Sequence, residues 1–298
     1  MPNAAVSYVP YANTQAQYNA WAGAISAALD TIGLTRVADT GVIASWGAQT
    51  KPSIGTQPHY EIRRLAAPQT GAPAVYIRLN YGISSSSASY PALAIATGTG
   101  TDGAGNLTGP GSTVAAVLCT PGLGEQVTRL FYASSDGDGF IMAHAIDSTA
   151  LMRGYAIVDR QRRADGVAAP NSGWPNIGYM RAVATTTFPN VLFVDPVSGD
   201  LNTVTKLPAI TGRTLATNTS MVNSVTEMTM WPVFSPNRQG LYMCKMALVY
   251  PAADANVTTD LVTSFLGASR TYRALGDRFI NQDINGSAGA TIAMWWSD

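Results

Sequence analysis

The sequence of 298 residues contains little charge of either sign. Only 12% of its residues are charged, with three lysines and three glutamates among them, and the formal net charge is zero. Basic residues cluster only at Arg160, Arg162 and Arg163. Proteins that bind nucleic acid or anionic lipid need a dense basic face, because those partners carry closely spaced negative charge. The composition therefore predicts neither of them as a partner.

Long apolar runs and a secretion signal are also missing. No run of about 18 apolar residues occurs, and the N-terminal segment lacks the basic start and apolar core of a signal peptide. We therefore expect no membrane insertion and a protein that is made and assembled inside a cell. The two cysteines, Cys119 and Cys244, lie far apart in apolar segments. Buried free thiols are favoured over a disulfide, because cysteine is among the most frequently buried side chains.

One amphipathic helix is predicted near the N-terminus. Asn13 and Thr14 are candidate N-caps, and Gly33 is placed to end the helix. Apolar side chains recur between them at spacings of three or four residues: Tyr18, Trp21, Ile25, Leu29 and Ile32. Such a stripe is typical of a helix that covers a sheet, and docking onto a neighbouring subunit is the alternative.

After the helix, the sequence changes to short β-branched and aromatic segments separated by turn signals such as GDG at 137–139. The segment at 74–82 alternates as a strand with one buried face does: Val75, Ile77 and Leu79 against Tyr76, Arg78 and Asn80. The predicted fold class is mainly β, an antiparallel sandwich or barrel-like fold with an N-terminal helix. We place a helix-plus-β domain at 1–112 and a β-rich domain at 113–298.

The stretch TGTGTDGAGNLTG at 97–109 contains the dinucleotide-binding pattern G-x-G-x-x-G at Gly98, Gly100 and Gly103. A phosphate-binding loop of that kind follows a strand and opens directly into a helix. Here the GPG at 109–111 prevents a helix from starting. We therefore interpret the stretch as a wide connection between strands and predict no cofactor.

Metal and catalytic chemistry have little support. Neither His59 nor His144 has a second histidine or a cysteine at ligand spacing. Asp136 and Asp138 occupy calcium-like positions, but a tight hairpin explains them better, with adventitious calcium as the alternative. There is no G-x-S-x-G nucleophile motif either. We predict no metal site, no catalytic residue and no enzymatic activity.

Residues 201–240 show little periodicity and predict a long excursion. The excursion contains a proline-punctuated apolar stretch without a clear place in a sheet. A weakly charged surface favours association, so we predict a homo-oligomer with apolar contacts, and folding of the stretch onto its own core is the alternative. The interface candidates are Trp21, Ile25, Leu29, Met228, Met230, Trp231 and Phe234.

Several segments together carry a resemblance to known proteins. The Trp21 helix ends in IGLTRVADTGVI, and YEIRRL, VYIRLNYG and the glycine-rich stretch follow; GASRTYRALGD and MWWSD lie near the C-terminus. This succession, over residues 1–110 and 258–298, resembles structural proteins of tailed bacteriophages, of the tail and baseplate type. The resemblance implies a virion component assembled in the host bacterial cytoplasm. Its partners are then copies of itself in a trimer or ring and other virion proteins, and it has no catalytic residues.

A second function from a different class is a glycan-binding or glycan-cleaving β-protein that acts on a bacterial envelope. Paired aspartates from different strands would cleave the glycan, and exposed aromatic side chains would stack on its sugars. The tryptophans considered for stacking are Trp174, Trp231, Trp295 and Trp296, which are more often core or interface anchors. A host-surface glycan or receptor is thus a further candidate partner.

Overall fold

The computed structural model describes residues 3–65, 73–119, 128–145, 154–160, 174–180, 190–194, 201–204, 229–234, 241–251, 260–265, 268–274 and 290–297. Over these ranges the chain is mainly β with antiparallel sheets, as predicted, and none of the described sheets closes into a barrel. In chain order the elements are β1 (Asn3–Tyr8), α1 (Gln15–Thr31), β2 (Thr35–Val37), β3 (His59–Arg64), β4 (Tyr76–Ile83), β5 (Pro91–Gly98), β6 (Gly100–Thr101), β7 (Leu107–Thr108), β8 (Ser112–Cys119), β9 (Arg129–Ser135), β10 (Gly139–Ala145), β11 (Gly154–Asp159), β12 (Trp174–Met180), β13 (Asn190–Val194), β14 (Leu201–Val204), β15 (Thr229–Phe234), β16 (Leu241–Pro251), β17 (Asp260–Phe265), β18 (Ala268–Ala274) and β19 (Ala290–Ser297).

The strands form three larger sheets and one small hairpin. Sheet I has the order β1-β9-β10-β11-β12-β13-β14, sheet II the order β2-β3-β4-β5-β8, and sheet III the order β15-β16-β19-β18-β17. Strands β6 and β7 pair only with each other. The division predicted at residue 112 does not separate these sheets. Strand β1 pairs with β9 in sheet I, and β8 pairs with β5 in sheet II, so backbone hydrogen bonds cross that division in both directions.

Helix α1 begins and ends where the sequence predicts. Thr14 is the N-cap: its hydroxyl oxygen accepts from the Gln17 amide at 3.2 Å, and its own amide donates to the Gln17 side chain at 3.0 Å. This reciprocal capping box satisfies two amide groups that have no partner inside the helix. Gly33 follows the last turn with φ near +80°, a left-handed conformation that glycine adopts without strain.

The main core lies between sheets I and II, and α1 fills part of it. The helix stripe, Trp21 included, is buried among apolar side chains of β4, β5, β9, β10 and β11. In β4, Ile77 and Leu79 are buried while Arg78 and Asn80 are partly exposed, which confirms the predicted alternation. Helix α1 therefore covers a sheet of its own chain. This removes Trp21, Ile25 and Leu29 from the candidate interface, because their side chains are inaccessible to a neighbour.

Sheet I is buried on both faces over its central strands. Phe131, Phe140 and Val158 belong to the core shared with sheet II. The alternate residues Tyr132 and Ile157 are also buried but point to the other face, where the Trp296 ring of sheet III lies 5.5 Å from Tyr132. Because both faces are covered, segments such as GFIMAHA read as continuous apolar runs and not as alternating ones.

Part of the 201–240 segment belongs to the sheets, contrary to the prediction of an excursion. Strand β14 pairs with β13, and β15, which contains Met230, Trp231 and Phe234, pairs with β16. The interpretation that these residues have no place in a sheet is therefore wrong. Pro232 led to it, because proline is uncommon inside strands. Met228 lies outside the described residues. Contact of the β15 side chains with a neighbour stays a prediction.

Truncation of the helix stripe tests its place in the core. We expect Leu29→Ala to lower the free energy of unfolding by about 2 to 5 kcal/mol, because a fully buried side chain leaves a cavity behind. The control is Ile54→Ala, since Ile54 is 52% exposed, and we expect that change to cost less than about 1 kcal/mol. Urea unfolding measures both values. Equal losses in the two variants would contradict the placement of the helix.

Candidate functional site

The glycine-rich stretch connects two strands of sheet II, as predicted. It leaves β5, forms the β6–β7 hairpin and enters β8 at Ser112, and no helix begins there. Asp102 organises the hairpin tip: one carboxylate oxygen accepts from the amides of Ala104 at 2.8 Å and Asn106 at 3.0 Å, and the other accepts from the Asn106 side chain at 2.7 Å. Bonds from the Asn106 side chain and from these amides lower the pKa of Asp102.

This hairpin is packed down onto the outer face of sheet II. The carbonyl oxygen of Gly105 accepts from Arg78 at 2.8 Å, and the Arg78 guanidinium lies 3.9 Å from the centre of the Tyr60 ring. The Tyr60 hydroxyl donates to the carbonyl of Thr40 at 2.7 Å. The Gly103 carbonyl in turn accepts from the Thr40 amide at 3.0 Å. These contacts use the backbone groups of the tip for packing within the chain.

Alanine substitutions at two glycines of the stretch distinguish the loss of stability from backbone strain and the loss from steric overlap. Gly103 and Gly105 both have positive φ, but a Cβ on Gly103 meets nothing within 4 Å, whereas one on Gly105 overlaps the Tyr60 hydroxyl. We expect Gly103→Ala to cost about 1 to 2 kcal/mol of stability and Gly105→Ala to cost more. Thermal unfolding measures the difference. A separate calorimetric titration of the wild type with NAD or FAD tests for nucleotide binding. Binding at micromolar affinity would overturn the interpretation of the stretch as a connection.

Asp136 and Asp138 form the tight hairpin between β9 and β10, as favoured over a calcium loop. One Asp136 oxygen accepts from the amides of Asp138 and Gly139 at 3.0 and 2.8 Å. The other accepts from the Lys245 ammonium at 2.8 Å, and Asp138 pairs with Arg160 at 3.4 Å. Each carboxylate thus already faces a cation. Within the described ranges, no group of three potential ligands from His, Cys, Asp and Glu is arranged to hold a metal ion.

The same hairpin belongs to a polar contact that ties sheet III to sheet I. One Asp159 oxygen accepts from the amide of Lys245 at 2.7 Å and from that of Met246 at 3.3 Å. Both amides lie in the part of β16 that bulges between Met243 and Leu248, where pairing with β15 is interrupted. The Lys245 ammonium also lies 3.5 Å from the centre of the Trp295 ring. Sequence spacing gives no sign of this cluster, because the residues that hydrogen-bond between the two sheets are 86 or more positions apart.

A second buried polar cluster joins α1 to the inner face of β3. The Arg63 guanidinium, which is fully buried, contacts the Glu61 carboxylate at 2.6 Å and also pairs with Asp30. It donates further to the backbone carbonyls of Ser26 at 3.1 Å and Leu34 at 3.3 Å. Several acceptors thus surround this charge, as an ion removed from water requires.

The remaining groups of this cluster complete its charge balance. Glu61 accepts from the hydroxyl of Tyr81 and, at 3.0 Å, from that of Ser26, while Arg36 pairs with Asp30 at 2.6 Å. Two cations therefore meet two anions. Burial raises the pKa of Tyr81, and the Glu61 charge and hydrogen bond raise it further. The described oxygens and nitrogens are bonded to one another, so the cluster fastens the helix and offers no free nucleophile or base.

The two histidines lie on different strands, in β3 and β10. His59 is half-buried beside Trp46, and its Nδ1 lies 2.9 Å from the Tyr18 hydroxyl. Burial lowers the pKa of His59 and raises that of Tyr18. His59 is thus part of an aromatic cluster under α1 and not of a metal site. His144 lies in β10, which pairs with β9 on one side and β11 on the other.

The C-terminal tryptophans are occupied by contacts within the chain. Trp295 is buried, with Lys245 over its ring. Trp296 is the extra residue of a bulge in β19, because the neighbouring positions pair with Tyr272 and Thr271 and leave it without an opposite residue. Its ring carries the Arg273 guanidinium 4.0 Å from its centre. Trp174 lies in β12 and Trp231 in β15.

A surface pocket of about 510 Å³ lies beside the end of α1, and its lining is mostly aliphatic, with Val37, Val42 and Ile43 among the residues. Of its charged residues, Asp30 and Arg36 are paired with each other. The third, Asp39, accepts from the Thr101 hydroxyl at 3.2 Å. The lining holds no cysteine, histidine or lysine. The pocket therefore has no recognisable catalytic arrangement.

No family model and no curated protein matches this chain. In the described part of the chain, no helix is both long and apolar enough to span a bilayer. Neither polar cluster was anticipated from the sequence. Glu61 and Arg63 lie two residues apart in β3, and that i, i+2 pair of opposite charges was the one signal available.

The lowered pKa of Asp30 predicts that the protein loses stability in acid. Burial alone would raise its pKa, but the hydrogen bonds and charges of Arg36 and Arg63 lower it below the ordinary value of 3.8. A group with a lowered pKa stabilises the fold above its unfolded pKa, and this contribution is lost as the pH falls through the folded value. We expect the unfolding free energy of the wild type to fall more steeply below about pH 4 than that of Asp30→Asn.

Chemical unfolding at a series of pH values measures that difference. Arg36→Met is the reciprocal variant, because it leaves the carboxylate but removes one donor and one charge that lower the Asp30 pKa. We expect an intermediate slope for it. Parallel curves for all three proteins would show that Asp30 does not contribute to acid sensitivity.

Proposed function

We propose that this chain is a structural subunit of a tailed-bacteriophage virion, of the tail or baseplate type, that acts by assembling with copies of itself and with other virion proteins. The resemblance of residues 1–110 and 258–298 to such proteins suggests the class. A mainly antiparallel fold with a single described helix supports it. The further role in this proposal is presentation of the assembly to a host-surface receptor or glycan.

The observation that carries the proposal is that the chain has few charged residues and pairs several of them with each other internally. Charged residues are only 12% of the sequence, and several of them form internal contacts: Glu61 with Arg63, Asp138 with Arg160, and Asp136 with Lys245. The formal net charge of the chain is zero, and a net charge near zero promotes association of copies. Polar clusters without a free reactive group support a role in assembly over one in catalysis.

Sedimentation of the purified protein tests self-association. We expect the wild type to form a discrete oligomer at micromolar concentration, and we expect labelled antibodies against it to decorate the tail or baseplate of intact particles in electron micrographs. Glycan-array binding and depolymerisation of host polysaccharide test the envelope-glycan alternative. A monomer that turns over a polysaccharide with ordinary enzyme kinetics would replace the structural proposal with that alternative.

A further inference from the structure

The outer edge of sheet III is formed by β17. This strand pairs with β18 at every position from Asp260 to Phe265 without a bulge. In any edge strand, alternate backbone N–H and C=O groups point away from the sheet. A straight edge of six residues is long enough to accept another strand. The segment DLVTSF also contains neither lysine nor proline, the residues that commonly prevent such pairing.

The other described sheet edges carry features that hinder pairing. Strand β15, at the opposite edge of sheet III, contains Pro232 and pairs irregularly with β16. Strand β2 has only three residues, and β14 has four. Strand β8 is irregular in its pairing with β5 and lies against β11, β12 and β13, and β1 packs beside α1. Among the edges that the structure describes, β17 is therefore the most open to a partner strand.

An exposed apolar side chain marks the same strand. Val262 is 53% exposed, and the other large apolar side chains among the described residues that are similarly exposed are Ile54 and Leu130. Ile54 lies outside the strands, and Leu130 lies in β9, which has neighbours on both sides. Val262 alone of these three lies on a sheet edge. Its cross-strand neighbour is Thr271 of β18.

We propose that β17 pairs antiparallel with β17 of a second copy of this chain, about a two-fold axis at Val262. Two five-stranded sheets then join into one continuous sheet across the contact. The inference rests on the proposed function, because it names the contact by which copies associate. The register places Val262 opposite its own counterpart, Leu261 opposite Thr263, and Asp260 opposite Ser264.

Charge complementarity favours a second copy as the occupant. Asp260 is the one charged residue of β17, and Arg273 of the same chain holds it through two hydrogen bonds of 2.8 and 3.0 Å. In this register Asp260 lies opposite a serine position and no like charge. The two Asp260 residues lie about 14 Å apart along the strands, beyond the screening length of about 8 Å in physiological salt. The strand is therefore complementary to itself.

Backbone pairing supplies the affinity in this kind of contact, and the side chains select the partner. An unlike partner strand is less favoured. Pairing of β17 with β15 of a neighbour would generate a head-to-tail chain, but the missing N–H of Pro232 weakens the necessary ladder. Pairing of β17 with itself involves no proline and closes after two copies.

Charge substitutions at Val262 test the contact by sedimentation of the full chain. We expect Val262→Lys and Val262→Glu each to raise the dimer dissociation constant about tenfold or more, because like charges then lie directly opposite each other. Mixing the two variants restores association, since opposite charges meet at the axis. Ile54→Lys is the matched control, because Ile54 is exposed to the same degree, and it leaves association unchanged.

A second variant tests whether the β17 strands of the two copies lie next to each other. Directly opposite residues of antiparallel strands have Cα atoms about 4.5 to 5.5 Å apart, within the range that a disulfide spans. We therefore expect Val262→Cys to form a disulfide-linked dimer on oxidation, and Ile54→Cys to form none. Circular dichroism verifies that the variants remain folded.

The outcomes separate this inference from the proposed function. If the wild type associates but Val262→Lys associates equally well and Val262→Cys does not cross-link, the β17 contact is wrong and the assembly function stands. If the wild type remains monomeric at high micromolar concentration, the β17 contact is overturned. Decoration of the particle by antibodies then decides separately whether the chain is a virion subunit.

Discussion

The buried guanidinium of Arg63 is the group on which the packing of α1 depends. A charge removed from water is tolerated only where other groups replace its hydration, and a buried ion without partners costs several kcal/mol. Glu61, Asp30 and two backbone carbonyls provide that replacement. Because the accepting carbonyls belong to Ser26 and Leu34, the guanidinium specifies both the rotation of the helix and the position where the chain leaves it. Apolar burial alone would fix the rotation and the end of the helix less narrowly, because it is not directional.

On the opposite side of sheet I, the Asp159 carboxylate positions sheet III in a comparable way. Asp159 accepts from two amides of β16 that are not engaged in a regular strand ladder. Unpaired buried amides are costly, so the bulge in sheet III and the carboxylate of sheet I stabilise each other. The molecule thus uses apolar packing for the bulk of its stability and a few buried charges to set the relative position of its layers. Those charges are no longer available on the surface.

The sequence predicted the elements whose periodicity is local. The Thr14 cap, the α1 stripe and the alternation in β4 follow from side-chain spacing within single segments. The β15 strand was missed because Pro232 interrupts its segment. The predicted division at residue 112 does not coincide with a boundary between sheets, because pairing partners far apart in sequence leave no local signal. Both polar clusters were missed for the same reason. Their members are ordinary charged residues until the fold brings them together.

The pairing of β1 with β9 has a consequence for synthesis of the chain. Asn3 of β1 is opposite Ser134, so the first strand emerges from the ribosome long before its partner. At about 5 to 20 residues per second, the delay is about 6 to 25 s. Helix α1 packs beside β1 and β9, and it too lacks part of its cover during that interval. Strand β1 therefore cannot take its place in sheet I until residues up to 134 have been synthesised.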